Sequence, residues 1–379
     1  MFYIIYSAYT PNTAATNRML SFIKAFDKQE IAANLILINP DSQCHHLPFS
    51  YKNIKVTYLW KDFHIGGKRF ILRRALNRIY RLIAYKCFLK SLKENDKVLL
   101  YDPHKMLKDL VVKQNIEVYH ERTENPMVLP IKEKHEQNLY LQSCKDVKGL
   151  FVISTALKRF FEKKGVDENK IKIINMTVDP NRFENLKTNG HKEKYIVYCG
   201  NGNNNKDGLD ELIKAFSITR KKHPDVKLYV IGPMPDKNDE AGNLKLIEQL
   251  GLKDAVEFKG IQPANRIPQI LKDAMICALD RPDSLQAQNG FPTKLGEYLL
   301  SGTPVVVTKV GDIPLFLKNG QNAMLANERD AQDFSSKMNW ILEHPKEAEI
   351  IGKKGANTAK EHFNSLIESK KIIKAIYKR

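Results

Sequence analysis

Short apolar runs alternate with helical patterns along the chain, and this alternation restricts the fold more than any other feature of the sequence. In the first half, runs of strand length occur at 2–9, 31–38, 56–60, 97–101, 116–119, 150–153 and 170–175. Strands that alternate with helices form parallel sheets covered by helices on both faces. The first half is therefore predicted to be an α/β domain.

The second half repeats the alternation. Its apolar runs lie at 195–199, 226–231, 256–258, 275–279 and 305–307. Residues 184–194 between the halves are polar and lack periodicity, which is typical of a linker. A chain of 379 residues is long enough for two such cores. We predict one domain over 1–184 and a second over 194–360, followed by a helical tail at 361–379.

The stretch 284–307 of the second half carries the strongest local indication of a ligand. Gly290 to Lys294 form a loop that opens onto a helical pattern at 295–300. The start of a helix presents unpaired N–H groups and a positive dipole end, which suit a phosphate or a sugar hydroxyl. Glu297 lies one turn further on, where a carboxylate could accept hydrogen bonds from both hydroxyls of a ribose. The alternative is an ordinary loop and helix with Glu297 on a solvated face.

Cysteine content and the first residues indicate the compartment. The cysteines are odd in number and scattered, without the spacing of a metal site, at 44, 87, 144, 199 and 277. The start of the chain, MFYIIYSAY, has neither a basic segment nor a cleavage site, and no apolar run is long enough to cross a bilayer. We expect a reduced cytoplasmic protein without a bound metal.

Positive charge is concentrated in the first half. The chain carries a net charge of +18, and residues 1–190 hold 32 Lys and Arg against 19 Asp and Glu. Residues 66–93 contain nine of these cations and no acidic residue, with apolar residues at roughly helical spacing. Such a helix can lie on an anionic membrane surface. It can equally be a domain helix whose apolar side faces the core. No nucleic-acid module accompanies the charge, so nucleic acid is not an expected partner.

Two predicted strand ends carry polar clusters, at 102–104 and at 120–125. Parallel sheets place their ligands at the carboxyl ends of the strands. His120, Glu121 and Arg122 are therefore candidate site residues of the first half. A solvated loop histidine is the alternative for His120.

Four patches in chain order resemble the retaining glycosyltransferases of family 4, also called group 1. The patches correspond to the family patterns "S…LK…KI…NGVD…RF", "KG…LI.AF", "L.I.G" and "G.P.K..E....G.PVV". They lie at Ile153 to Phe183, Lys206 to Phe216, Leu228 to Gly232 and Gly290 to Val306. The resemblance implies the GT-B fold, in which two Rossmann-like domains face each other across a cleft and the last helix crosses back to the first domain.

The resemblance also implies roles for individual residues. Glu297 would bind the ribose of a nucleotide-sugar donor, and Lys206 would neutralise the diphosphate leaving group. Lys294 would lie by the phosphates, and His120 would lie near the transferred sugar. The remaining donor-side candidates are Gly200, Asn201, Gly232, Gly290, Phe291, Pro292, Thr293 and Leu295. Candidates on the first domain are Asn12, Thr13, Arg18, Glu121 and Arg122.

Three positions depart from the family pattern. Asn289 stands where the family usually has the first of two glutamates, and Asn201 stands where it usually has an arginine. The paired glycines expected after the first strand are absent from residues 12–15. The amide at 289 cannot share charge with a cationic sugar centre, and one leaving-group cation is missing at 201, for which Arg122 or Arg18 could substitute.

The sequence therefore predicts a retaining, metal-independent hexosyltransferase without a cofactor. Its donor would be a nucleoside-diphosphate sugar, and its acceptor a surface glycan, lipid-linked and met at the inner face of the membrane. One alternative is a catalytically weak nucleotide-sugar-binding or partner protein on the same fold. Another is an epimerase or a phosphorylase on that fold.

Overall fold

The chain folds into two compact units. The computed structural model describes residues 1–7, 9, 13–38, 50–60, 70–101, 104–113, 115–128, 133–190 and 193–377. The first unit comprises Met1–Asn175 together with Ser365–Arg379, and the second comprises Met176–Asn364. The first unit thus ends before residue 184, because the segment from Met176 onward packs with the second unit.

The first unit is built on a parallel sheet. In the described residues it has seven strands in the order β3-β2-β1-β4-β5-β6-β7, and each adjacent pair is parallel. The strands are β1 (Phe2–Tyr6), β2 (Ala33–Leu37), β3 (Ile54–Tyr58), β4 (Lys97–Tyr101), β5 (Glu117–Arg122), β6 (Gly149–Val152) and β7 (Ile171–Ile173). The helices between them are α1 (Ala14–Lys28), α2 (Phe70–Ser91), α3 (His104–Val111), α4 (Lys134–Asp146) and α5 (Thr155–Lys163).

Over residues 176–190 and 193–364, the second unit forms a six-stranded parallel sheet in the order β10-β9-β8-β11-β12-β13. The strands are β8 (Tyr195–Cys199), β9 (Lys227–Ile231), β10 (Val256–Gly260), β11 (Ile276–Leu279), β12 (Val305–Thr308) and β13 (Met324–Ala326). The helices are α6 (Asn204–Asp207), α7 (Leu209–Lys222), α8 (Lys237–Gln249), α9 (Ile267–Asp273), α10 (Leu285–Asn289), α11 (Thr293–Leu300), α12 (Ile313–Phe316), α13 (Ala331–Glu343) and α14 (Pro345–His362). Every residue of β11 and β12 is buried, as expected for strands covered on both faces.

The predicted pair of parallel-sheet α/β domains is confirmed. Both sheets run outward in two directions from a first strand, so the strand order reverses between β1 and β4 and between β8 and β11. Ligands of such sheets bind at the carboxyl ends of the strands at this reversal. In the second unit, the reversal brings together the loop that follows Cys199 and the loop that follows Leu279.

The last helix, α15 (Ser365–Tyr377), completes the first unit. Ile372 and Ile376 of α15 are buried in the same core cluster as Phe26 and Leu35. The tail at 361–379 is therefore not one continuous helix. It is interrupted between His362 and Ser365, where the carbonyl of Phe363 accepts a hydrogen bond from the backbone N–H of Val178, at 3.0 Å.

None of the helices in the described part of the chain combines the length and the apolar composition needed to cross a bilayer.

Candidate functional site

The loops after β8 and β9 meet backbone to backbone at the carboxyl edge of the second sheet. Gly232 has φ +121°, and a Cβ on this residue would overlap the carbonyl oxygen of Gly200. A Cβ on Gly200 would in turn collide with the Lys294 ammonium and the Tyr198 hydroxyl. A side chain is therefore excluded at Gly232, and the two loops lie against each other through their backbones.

Lys294 enters this edge from the first turn of α11 and forms an ion pair with Asp207 of α6. The side chain of Asp207 is 2% exposed and that of Lys294 is 18% exposed. Tyr198 donates a hydrogen bond to Asp207 Oδ2 at 2.8 Å and accepts one from the Gly202 N–H at 3.0 Å. Burial raises the pKa of Asp207. The Lys294 charge and the hydrogen bonds that Asp207 accepts from Lys294 and Tyr198 outweigh this effect and hold the pKa below its usual range. The cluster fixes a cation beside the glycine loop.

Lys206 is the neighbour of Asp207 within α6. Its backbone N–H is bonded to Asn203 Oδ1 at 2.8 Å, and this contact caps the short helix. The side chain of Lys206 is partly exposed. The structure thus brings both predicted leaving-group lysines, Lys206 and Lys294, to the region around Asp207.

Glu297 faces an arginine that was not assigned a role from the sequence. Its carboxylate forms an ion pair with Arg182 Nη1, and Nη2 of Arg182 donates to the carbonyl of Ala264 at 3.0 Å. The side chains of Arg182 and Glu297 are 27% and 19% exposed. Arg182 belongs to the "RF" end of the family pattern, and that motif was the signal that could have identified it.

The segment from Gly290 to Leu295 forms the entry into α11. Phe291 is buried against the rings of Phe316 and Phe363, with ring centroids 5.7 and 5.2 Å away. Leu295 is completely buried, and its N–H donates to the Pro292 carbonyl at 3.1 Å. The side chains of Phe291 and Leu295 therefore serve the core, while Thr293 is partly exposed. Asn289 ends α10 and donates from Nδ2 to the Leu285 carbonyl at 2.9 Å.

Asp280 is a buried carboxylic acid at the end of β11. It is 1% exposed, and its Oδ2 accepts no hydrogen bond from the described residues. Burial, followed by the charges of Glu211 and Asp210, raises the pKa of Asp280 to about 8. The backbone carbonyl of Asp280 touches Gly208, the residue that joins α6 to α7. Asp280 therefore links the end of β11 to the helix that carries Lys206.

The candidates on the first unit form two buried groups. Arg18 bonds through Nε to Glu121 Oε1 at 2.8 Å and through Nη1 to the Asn175 carbonyl at 2.7 Å. His120 is fully buried, with Nδ1 3.0 Å from the Leu100 carbonyl and Nε2 2.9 Å from the Tyr140 hydroxyl. These contacts hold α1 and α4 against β5 and join β5 to β4. Arg18, Glu121 and His120 therefore have a structural role.

Three further candidates of the first unit remain. Thr13 caps α1 by accepting a hydrogen bond from the Thr16 N–H at 3.2 Å. Arg122 is buried and donates from Nε to the Glu124 carbonyl at 3.2 Å. Asn12 lies outside the described residues.

Within the residues that the structure describes, no three His, Cys, Asp or Glu side chains are grouped closely enough to hold a metal ion.

Comparison with known proteins gives the family of the second unit. Residues 177–358 match the model of the family described as "Glycosyl transferases group 1". The second unit belongs to the group 1 glycosyltransferase family. The match extends over almost all of this unit, from the segment that follows β7 to a point within α14, and it includes both lysines and Glu297.

The sequence relatives of this glycosyltransferase domain are distant. The mannosylfructose-phosphate synthase of Agrobacterium fabrum is 26% identical over 61% of this chain and 52% of its own length. The putative colanic acid biosynthesis glycosyltransferase WcaL of Salmonella typhimurium is 28% identical over 46% of this chain and 42% of its own length. The chain thus spans about half the length of the curated relatives it matches.

Solved structures agree over the whole chain. Anabaena HepE, crystallised in complex with UDP, aligns with a TM-score of 0.76 at 17% identity and covers 100% of both chains. The sucrose-phosphate synthase of Thermosynechococcus elongatus aligns with a TM-score of 0.76 at 14% identity, covering 100% of this chain and 98% of its own. These neighbours are GT-B glycosyltransferases, and the predicted GT-B fold class is confirmed.

Proposed function

We propose that the protein is a retaining glycosyltransferase that moves a hexose from a nucleoside diphosphate onto a growing surface glycan. The observation that carries the proposal is the group of Lys294, Asp207 and Lys206 at the carboxyl edge of the second sheet, inside the family-matched unit. Cations fixed at this edge suit a diphosphate, because the strand order reverses there and parallel sheets bind their ligands at such a reversal.

The chemistry requires stabilisation of the leaving group. Breaking a glycosyl–phosphate bond builds negative charge on the diphosphate, and prearranged cations lower that barrier most. In this proposal Lys206 and Lys294 contact the phosphates. Arg182 releases one carboxylate oxygen of Glu297, and the carboxylate then accepts hydrogen bonds from the ribose hydroxyls. The lysines would supply the positive charge that a metal ion provides in other transferases. We therefore expect full activity in the presence of a chelator.

The names of the relatives guide the choice of substrates. HepE has been crystallised with UDP and with UDP-glucose, so UDP-sugars are the first donors to test. WcaL is named for colanic acid biosynthesis, which supports a surface glycan as acceptor. We further propose that the acceptor is lipid-linked and that the protein meets it at the cytoplasmic face of the membrane, in keeping with the basic first half of the chain.

A second candidate is a catalytically weak protein that binds nucleotide sugars. It is favoured by Asn289, whose amide donates to a carbonyl of its own helix, and by Asn201 at the position of an expected cation. Release of UDP or GDP from a panel of nucleotide sugars distinguishes the two. Slow hydrolysis of one donor supports the transferase, whereas tight binding of a donor without release supports the weak protein.

Variants of the two central residues test the site itself. We expect Lys206→Ala and Glu297→Ala each to lower turnover about a hundredfold or more, because each removes a contact to the donor. Turnover would be measured as nucleoside diphosphate release, with and without EDTA. The matched control is Lys245→Ala on the exposed face of α8. A variant with wild-type turnover would remove that residue from the site.

A further inference from the structure

Among the described side chains of α2, from residue 74 to residue 91, the contacts that the structure shows with the first unit lie on one face. Asn77 is buried, and the Tyr85 hydroxyl donates to Asp109 Oδ2 at 2.7 Å. The Phe88 ring meets Tyr3 edge to face with ring centroids 5.9 Å apart. The Arg81 guanidinium lies over the Trp60 ring, 5.8 Å from its centroid. Residues 77, 81, 85 and 88 recur at helical spacing, so these contacts define a single packed side. The opposite side of α2 faces away from the unit.

The outward side of α2 is apolar. Ile79 is 55% exposed, Ile83 is 54% exposed and Leu82 is 52% exposed, and Leu76 is 39% exposed. Helical periodicity places Leu76, Ile79 and Ile83 along one line, with Leu82 beside it. We name these four residues the α2 stripe. Of the two alternatives left open by the sequence, burial of the apolar side in the core does not apply to the stripe, although the half-buried Phe88 packs against Tyr3.

Cations border the α2 stripe. The helix contains six Lys and Arg and no acidic residue. Lys86 and Lys90 are exposed and lie on the same side as the stripe, and Arg78 is exposed near its edge. An amphipathic helix with aliphatic residues flanked by cations is suited to the boundary between headgroups and acyl chains of an anionic bilayer.

We propose that the α2 stripe docks the protein on an anionic lipid surface. The aliphatic side chains enter the layer below the headgroups, and Lys86, Lys90 and Arg78 contact the headgroup phosphates. The inference does not depend on transferase activity. If that activity holds, docking would bring the first unit to the membrane in which a lipid-linked acceptor lies.

Charge argues against the other occupants of this surface. A second copy of the chain would place two helices, each with six cations, against each other, and like charges at close range repel. Single-stranded nucleic acid would need aromatic platforms for its bases, whereas the stripe consists of Leu and Ile. A bilayer that contains anionic lipid supplies both negative charge and an apolar layer.

The test uses the full-length protein and vesicles of phosphatidylcholine with or without phosphatidylglycerol. We expect sedimentation with the anionic vesicles at low salt and little with neutral ones. The double variant Ile79→Ser with Ile83→Ser should weaken vesicle binding at least about tenfold, because two apolar side chains that would move from water into the lipid are lost. Lys86→Glu with Lys90→Glu should weaken it by about tenfold or more, and added salt should reduce wild-type binding in the same direction.

Matched controls exist on the second unit. Leu244→Ser with Ile350→Ser removes two exposed aliphatic side chains, at 51% and 54% exposure, and Lys245→Glu with Lys354→Glu reverses two exposed cations. Both should bind vesicles as the wild type does. All variants alter exposed side chains, and unchanged thermal unfolding verifies that they fold.

Insertion can be followed at Cys87, an exposed thiol in α2. In a Cys44→Ser background, an environment-sensitive dye on Cys87 should shift to the blue on anionic vesicles. Equal binding to neutral vesicles, absence of binding, or α2 variants that bind like the wild type would overturn the proposal. A dimer in the absence of vesicles that Ile79→Ser with Ile83→Ser dissociates would also overturn it. Donor hydrolysis without lipid should be equal in all variants, so failure of the docking and failure of the proposed reaction are read separately.

Discussion

Lys294 carries its charge into the site while paired with Asp207, and this pairing restricts what the lysine can do. Two buried opposite charges stabilise each other only when their geometry and hydrogen bonds are satisfied. Here Tyr198 supplies an additional hydrogen bond to the same Asp207 oxygen. The ammonium is therefore held in one place and does not have to be ordered when a diphosphate arrives. Asp207 acts in this arrangement as a positioning residue for Lys294.

Asp280 should make stability depend on pH. Its pKa is about 8 in the folded chain and has the ordinary value of about 4 when the chain unfolds. A raised folded pKa gives stability that is fully present below about pH 4 and is lost as the pH rises toward about 8. Asp280→Asn removes this loss. The free energy of unfolding of the variant minus that of the wild type should thus increase as the pH rises from about 4 to about 8, by up to about 1.4 kcal/mol per pH unit.

Urea unfolding at several pH values between these limits measures that difference, with Asp283→Asn as the exposed control. A constant difference would mean that Asp280 does not titrate in the folded chain in this range.

Single residues of the site were only partly predictable. Lys294 and Glu297 follow from a local pattern, because a loop that opens onto a helix directs nearby charge to one place. Their partners do not follow from local pattern. Asp207 is adjacent to Lys206 in sequence but pairs with Lys294, and Arg182 is far along the chain from Glu297. Such pairs arise from packing between elements, which periodicity and spacing do not encode.

The joint between α6 and α7 is the element on which the lysine cluster rests. Gly208 connects the two helices with φ +62°, and a Cβ there would overlap the backbone carbonyl of Asp280. Since the carbonyl belongs to the end of β11, neither partner can move without displacing the strand or α6. The position of Lys206 and Asp207 therefore depends on the absence of a side chain at 208.

We expect Gly208→Ala to destabilise the chain by about 2 kcal/mol or more, because it combines a left-handed backbone with a backbone collision. Gly242→Ala in α8 is the matched control. It has open space around the position and should stabilise by up to about 1 kcal/mol through helix propensity. Denaturant unfolding gives both values. Equal stability of the two variants would contradict this account of the joint.

Elements with a regular pattern were predictable from the sequence. The strand β13 and the orientation of the two faces of α2 were not. β8 and β4 were predicted with the bounds that they have, because each is a continuous apolar run. β13 (Met324–Ala326) was missed because it lacks the β-branched residues by which the equally short β7 (Ile171–Ile173) was recognised. For α2, periodicity indicated a helix, but it could not show that Tyr85 and Phe88 pack inward while Ile79 and Ile83 face outward.

At the scale of the whole molecule, the chain returns to its first unit after the second is complete. Glu368 of α15 is 1% exposed and accepts a hydrogen bond from the Asn175 N–H at 2.8 Å. Ile372 is completely buried in the core of the first unit. The core of the first unit therefore consists of two segments separated by the entire second unit. Local sequence patterns did not indicate this, but the family resemblance implied a last helix that crosses back to the first domain, and that prediction is confirmed.

Ile372→Ala should destabilise the first unit by about 2–5 kcal/mol, since it leaves a cavity in the core. Ile367→Ala on the same helix, at 42% exposure, should have an effect within about 0.5 kcal/mol. Hydrogen exchange measured by mass spectrometry separates the units. Faster exchange should appear in β1 and β2 and be absent from β8 and β9, and equal acceleration in both sheets would contradict the division of the chain.

The position of α15 also sets an order of events during synthesis. A ribosome delivers residues 1–175 first, yet these residues lack the helix that closes their core. Residues 176–364 follow and contain everything that their own sheet requires. The second unit can therefore fold while the first waits with Ile174 and Phe26 incompletely covered, and the part of the protein that is made first is the part that finishes last.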